Sequence, residues 1–177
     1  GALLGLAYAA RRLDHNGDPT RLMRGGLIVG LVAFPTVIFS APLGSALLFF
    51  IGALLIGFGA GLFSVATLIL AMTIPISGIA GRGLAIGAWG AAQATAAGIS
   101  IALGGFLRDF INYHAMRGAW GEALATPATG YSFVYHSEIA LLIVTLLVLL
   151  PLIRQGQHIA SKTDHGSAGI RLADFPM

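Results

Sequence analysis

Long apolar runs alternate with short polar stretches along the whole chain, and the lengths of the runs set the expected architecture. A helix rising about 1.5 Å per residue needs about 20 residues to cross a hydrocarbon layer about 30 Å thick. Residues 1–10 make half such a span, so they read as the end of a helix whose beginning is missing and the chain reads as part of a larger protein. RRLDHNGDPTRLMR follows, a polar loop with an N-G-D-P turn at Asn16 to Pro19. The pattern then predicts spans at residues 25–40, which contain Pro35, at 45–73, at 84–107 and at 131–153, and a polar, disordered tail over 154–177. Residues 108–130 are expected to form a second polar loop, with Arg108 and Asp109 closing and capping the preceding helix.

Two spans are rich in small residues. The third holds Ala53, Gly57, Gly61 and Ser64 at helical spacing, including a G-x-x-x-G, the spacing that lets helix backbones approach in lipid. In the fourth, at about 100° per residue, Gly87, Ala91, Ala94, Gly98 and Gly105 fall on one stripe. Trp89, Gln93 and Ser100 gather on roughly the opposite side. The small stripe predicts backbone contact with another helix, and the polar side offers an indole, an amide and a hydroxyl. The last span carries LLIVTLLVLL, the densest aliphatic run, expected to face lipid.

Composition agrees with a polytopic membrane protein. The 177 residues are 56% hydrophobic and 10% charged, with mean hydropathy +0.86 and 25 glycines. The chain has no cysteine, which excludes disulfides, thiolate metal sites and cysteine nucleophiles. The net charge of +3 does not indicate a nucleic-acid partner, because the cations sit in short segments between apolar runs. They report topology instead. Arg11, Arg12, Arg21, Arg24, Arg82, Arg154, Lys162 and Arg171 fall on one side of the predicted membrane, and Arg108 and Arg117 on the other. By the positive-inside rule the first side, with the C-terminus, is cytoplasmic.

NGDPTRLMRGG, IGFGAGLFSVATLILAM, RGLAIGAWGAAQATAAGISIALGGFLRD and YSFVYHSEIALLIVTLLVLLPLIR together resemble the PucC/LhaA family of purple bacteria, most specifically in GAWGAAQATAAG and VYHSEIALL. The resemblance covers all but the tail. It implies an all-α fold similar to the C-terminal part of a twelve-helix major facilitator, here half a helix plus four spans. The third and fourth spans would then be interior, and the second and last lipid-facing. It also implies assembly of light-harvesting complexes in the photosynthetic inner membrane, with bacteriochlorophyll as ligand and antenna polypeptides and lipid as partners, alongside the missing N-terminal helices. The alternative is half of a facilitator-type transporter for a small amphiphile. One departure bears on transport: in the loop motif G-x-x-x-D-R-x-G-R of such transporters, Ala9 stands where the Asp would fall after Gly5.

Five residues are candidates for ligand contact. Glu138 is the only formal charge inside a predicted span, sharing a helical face with Tyr131, Tyr135, Leu142 and Thr145. It either binds a proton or a ligand carbonyl, or pairs with Arg108 or Tyr135 to hold two helices in register. His136 lies about 160° away on that helix. It reads either as an interfacial histidine or, given the resemblance, as an axial ligand to a chlorophyll magnesium. Trp89 and Gln93, one turn apart, either cradle a flat macrocycle or bond a neighbouring helix. Tyr113, His114 and Trp120 are expected at the outer interface. No constellation for hydrolysis, nucleophilic catalysis or a metal centre emerges, and an enzyme is not expected.

Overall fold

Helices make up the described chain from end to end, as the run lengths require. The computed structural model describes residues 1–15, 17–73 and 79–167, and among them there is no strand. The helices are α1 (Ala2–Asp14), α2 (Pro19–Ser40), α3 (Ala46–Met72), α4 (Ile79–Met116) and α5 (Ala128–Ser167). One 3-10 turn, Glu122–Leu124, lies between α4 and α5. Among the described residues four stretches are long and apolar enough to cross a membrane: Pro19–Ser40, Ala46–Met72, Gly83–Met116 and Ala128–Pro151. The protein is a multi-pass membrane protein. It divides into two compact units, residues 1–142 and 143–177, and the described part of the second is the remainder of α5.

Local signals place the helix ends. Asp18 caps α2, accepting the Thr20 N–H at 2.8 Å, and Pro19 occupies the first turn, where its missing N–H costs nothing. α2 therefore begins at Pro19, ahead of the span expected from residue 25. Ser45 caps α3 by accepting the Leu48 N–H. α2 and α4 end alike, on a glycine of positive φ (Gly44, 56°; Gly118, 74°). In both, paired backbone bonds close the last turn: Ser45 N–H to Ser40 and Gly44 N–H to Ala41, then Ala119 N–H to His114 and Gly118 N–H to Ala115.

The expected loop over 108–130 is thus partly helix. No breaker intervenes before Gly118, so α4 runs past Asp109 to Met116, and Arg108 and Asp109 do not cap it. Likewise α5 continues to Ser167, so residues 154–167 extend the last helix where a disordered tail was expected; residues 168–177 lie outside the described residues. Asn16 of the predicted turn and residues 74–78 are also outside them, and residues 79–82 of the expected short loop before the fourth span belong to α4.

The packed centre of the first unit is α3 with α1 on one side and α2 on the other. Gly57 and Gly61 meet α1: a Cβ on Gly61 would lie 2.6 Å from the Ala2 carbonyl oxygen, and one on Gly57 would lie 2.9 Å from the Ala2 nitrogen. Gly59 meets Gly26 of α2. Leu22, Leu27, Ala33, Val37, Leu62 and Ala66 fill this seam. Of the expected interior third and fourth spans and lipid-facing second and last spans, the third and the last are as expected, α3 at the packed centre and α5 unburied, whereas α2 and α4 are reversed. A third of the most apolar stretch of α2 is buried, and none of the corresponding stretch in α4 or α5.

Candidate functional site

α4 leans on α3 through its polar side. The Trp89 indole N–H donates to Thr67 Oγ1 and the Gln93 amide donates to Ser64 Oγ, both at 3.2 Å. Thr67 and Ser64 stand one turn apart on α3, so two side chains one turn apart on α4 meet two hydroxyls one turn apart on an antiparallel neighbour. The opposite stripe behaves otherwise. A Cβ added at Gly87, Gly98 or Gly105 would meet nothing within 4 Å, and Ala91 and Ala94 are exposed. Within the described residues the small stripe of α4 makes no backbone contact, and the polar side takes the second of its two expected roles, bonding a neighbouring helix. Apolar side chains gain nothing by leaving lipid for one another, so two hydrogen bonds to α3 orient the helix where a stripe of glycines does not.

At the other end of α4, Arg108 holds the start of α5. Its guanidinium donates to Asp109 Oδ1 from Nε (2.9 Å) and Nη2 (2.6 Å), and to Tyr131 OH from Nη1 (3.0 Å). Its Cζ lies 5.3 Å from the centroid of the Tyr131 ring. One turn on, Asn112 Oδ1 accepts the Gly130 N–H at 2.9 Å, and a Cβ on Gly130 would lie 2.6 Å from both that oxygen and the Arg108 carbonyl oxygen. Beyond these contacts, the end of α4 and the residues after it form a group of rings: Phe110 against the half-buried His114 (4.5 Å), His114 stacked on Trp120 (6.1 Å) and Arg117 over Tyr113 (4.1 Å).

Between α2 and the start of α5 lies a cleft of ≈ 860 Å³. Its apolar wall is made by Val37, Ile38, Phe49 and Leu124. Tyr131, Ser132 and Tyr135 of α5 bring hydroxyls to it, and Tyr135 packs on Phe34 of α2 with ring centroids 5.9 Å apart. Two turns deeper, Leu142 touches α2 at Gly30. Glu138 shares the helical face of Tyr135 and Leu142. It is half-buried, and forms no ion pair among the described residues. The expected pairing with Arg108 is not made, because that guanidinium is taken by Asp109 and Tyr131.

His136 points elsewhere. It is exposed, and its Nδ1–H donates to the Ser132 carbonyl oxygen at 2.7 Å. A carbonyl only accepts, so this contact is a hydrogen bond in the Nδ1–H tautomer, in which Nε2 is the nitrogen with the free lone pair. That is the tautomer a metal-ligating histidine uses, its other N–H fixed by a backbone carbonyl. No group of three or more His, Asp or Glu side chains able to hold a metal ion occurs among the described residues.

A family model described as PUCC protein matches residues 1–157. The chain belongs to the PucC family. Among curated relatives, it is 48% identical over 176 residues to an uncharacterized protein of the puhA-bchM intergenic region of Rhodobacter capsulatus, covering 99% of this chain and 36% of that protein. It is 49% identical over 111 residues to Protein PucC of Rhodovulum sulfidophilum (63% of this chain, 24% of that one). Protein PucC of Cereibacter sphaeroides is 37% identical over 155 residues (87% and 32%). The chain thus spans little more than a third, or less, of the length of these PucC-family relatives. No solved structure matches it.

Sequence reasoning did not find Ser64 and Thr67 as acceptors for the polar side of α4, nor Asn112, Gly130 and Ser132 as shapers of the α4–α5 end. The nearest signal is the helical face that groups Tyr131 and Tyr135 with Glu138. The partners of Trp89 and Gln93 lie 22 and 29 residues away in sequence, beyond any periodicity.

Proposed function

We propose that this protein is a membrane assembly factor for photosynthetic light-harvesting complexes, holding bacteriochlorophyll in the bilayer and passing it to antenna polypeptides. Membership of the PucC family carries this reading. The pigment assignment is supported by His136, an exposed histidine within an apolar span, whose Nδ1 bonds a backbone carbonyl and leaves Nε2 as the nitrogen that would hold a magnesium ion. The chain would act as a carrier and not as an enzyme. It would lie in the inner or intracytoplasmic membrane of a bacterium, with its C-terminus in the cytoplasm, following its cation distribution.

Trp89 and Gln93 have a smaller part in this reading, since the donors that would reach a macrocycle already bond α3. The indole face and the Gln93 carbonyl are what remain for a ligand. Isolated in mild detergent from a photosynthetic host, the full-length protein is expected to carry bacteriochlorophyll and to co-purify with antenna polypeptides. His136→Leu is expected to lose the pigment at unchanged protein level. Wild-type protein with neither pigment nor antenna subunits would overturn the reading.

A further inference from the structure

The cleft between α2 and α5 has a chemistry distinct from the His136 face. No Asp, Glu, Lys, Arg or His among the described residues lines it. A charged ligand would leave water without a counter-charge, at a cost that its few hydroxyls could not offset. Several of those hydroxyls are engaged: Ser40 Oγ donates to the Val37 carbonyl, Thr129 Oγ1 to that of Leu124, and Tyr131 OH accepts from Arg108. Ser132 Oγ and Tyr135 OH have no hydrogen-bond partner among the described residues, and Tyr131 OH keeps its own proton to donate. The cleft is therefore lined by two residues one turn apart on α5, Ser132 and Tyr135, whose hydroxyls have no partner among the described residues, and by an apolar wall that includes Phe49. Few polar groups converging in a mainly apolar concavity of this size is the usual form of a small-molecule site.

We propose that this cleft binds an uncharged amphiphile with a carbonyl-bearing ring, its carbonyl oxygen accepting from Tyr135 and Ser132 and its apolar body lying along Val37, Ile38 and Phe49. A quinone and a tetrapyrrole ester share that chemistry. The tetrapyrrole arm rests on the pigment reading and the quinone arm does not; in both the site is distinct from His136, which is not part of the lining.

The full chain in lipid nanodiscs, titrated with decylubiquinone and separately with bacteriochlorophyll, tests it. Saturable binding of at least one probe is expected, followed by quenching of intrinsic fluorescence for the quinone and by the absorbance band for the pigment. Tyr135→Phe and Ser132→Ala, which keep shape and remove a donor, should each weaken binding about five- to tenfold. Ala128→Phe, which fills the cleft mouth, should abolish it. Ser137→Ala, whose hydroxyl bonds the Phe133 carbonyl away from the cleft, should leave it unchanged. Quinone-only or pigment-only binding with this pattern supports the proposal and identifies the source of the ligand. Binding by neither probe, or binding that all three cleft variants leave intact, overturns the proposal. His136→Leu separates the two ideas: it should remove pigment bound through His136 and leave quinone binding in the cleft untouched.

Discussion

Gly26 and Gly59 face each other across the α2–α3 seam so closely that a Cβ on either would meet the other's carbonyl oxygen, at 2.7 and 2.8 Å. The contact is reciprocal and made by backbone, so no side-chain adjustment relieves it. Gly59→Leu or Gly26→Leu is expected to force the helices apart, at a cost of about 1–3 kcal/mol or more. Gly87→Leu, on the open face of α4, should change stability by less than about 0.5 kcal/mol. Unfolding in mixed micelles with increasing SDS, read by circular dichroism, distinguishes them; equal losses in both would contradict the packing described.

The α3–α4 bridge gives a pairwise prediction. Gln93→Leu combined with Ser64→Ala in a double-mutant cycle should show a coupling of about 0.6 kcal/mol, the usual size of a hydrogen bond between membrane helices. A cycle of Gln93→Leu with Thr95→Ala, an exposed neighbour outside this bond, should give a coupling near zero. The same unfolding measurement reads both.

Gly130 offers a sharper steric test. Gly130→Ala places a methyl group against the Arg108 carbonyl and Asn112 Oδ1, and should cost about 1–3 kcal/mol by loosening the α4–α5 end. Amide hydrogen exchange over residues 117–127 should accelerate in this variant. Unchanged exchange there would count against the clamp.

The start of α2 depends on its cap. Asp18→Ala removes the acceptor of the Thr20 N–H and should destabilise the helix end by about 0.5–2 kcal/mol. Asp18→Asn keeps an acceptor and should recover most of the loss. Thermal unfolding midpoints of the three proteins make the comparison.

Run length and hydropathy determined that this is an all-helical, multi-pass membrane protein, and where four of its apolar stretches lie, because the bilayer admits few backbone solutions. The wording of residues 83–109 and 131–154 determined the family. Sequence also marked Gly57 and Gly61 of α3 as packing positions, and α1 is the backbone brought to them. Helix ends were less legible: Arg108 and Asp109 looked like a boundary because charge usually leaves the membrane, yet a polar helix continues until a glycine adopts positive φ.

Only the tertiary structure decided which face of α4 is a contact. Small-residue stripes on α3 and α4 look alike in sequence, but a stripe packs only if another backbone is brought to it, and on α4 the hydroxyls of Ser64 and Thr67 draw the Trp89 and Gln93 side instead. The cleft lined by Ser132 and Tyr135 likewise comes from α2 and α5 meeting although two other helices separate them along the chain, a relation that no local pattern encodes.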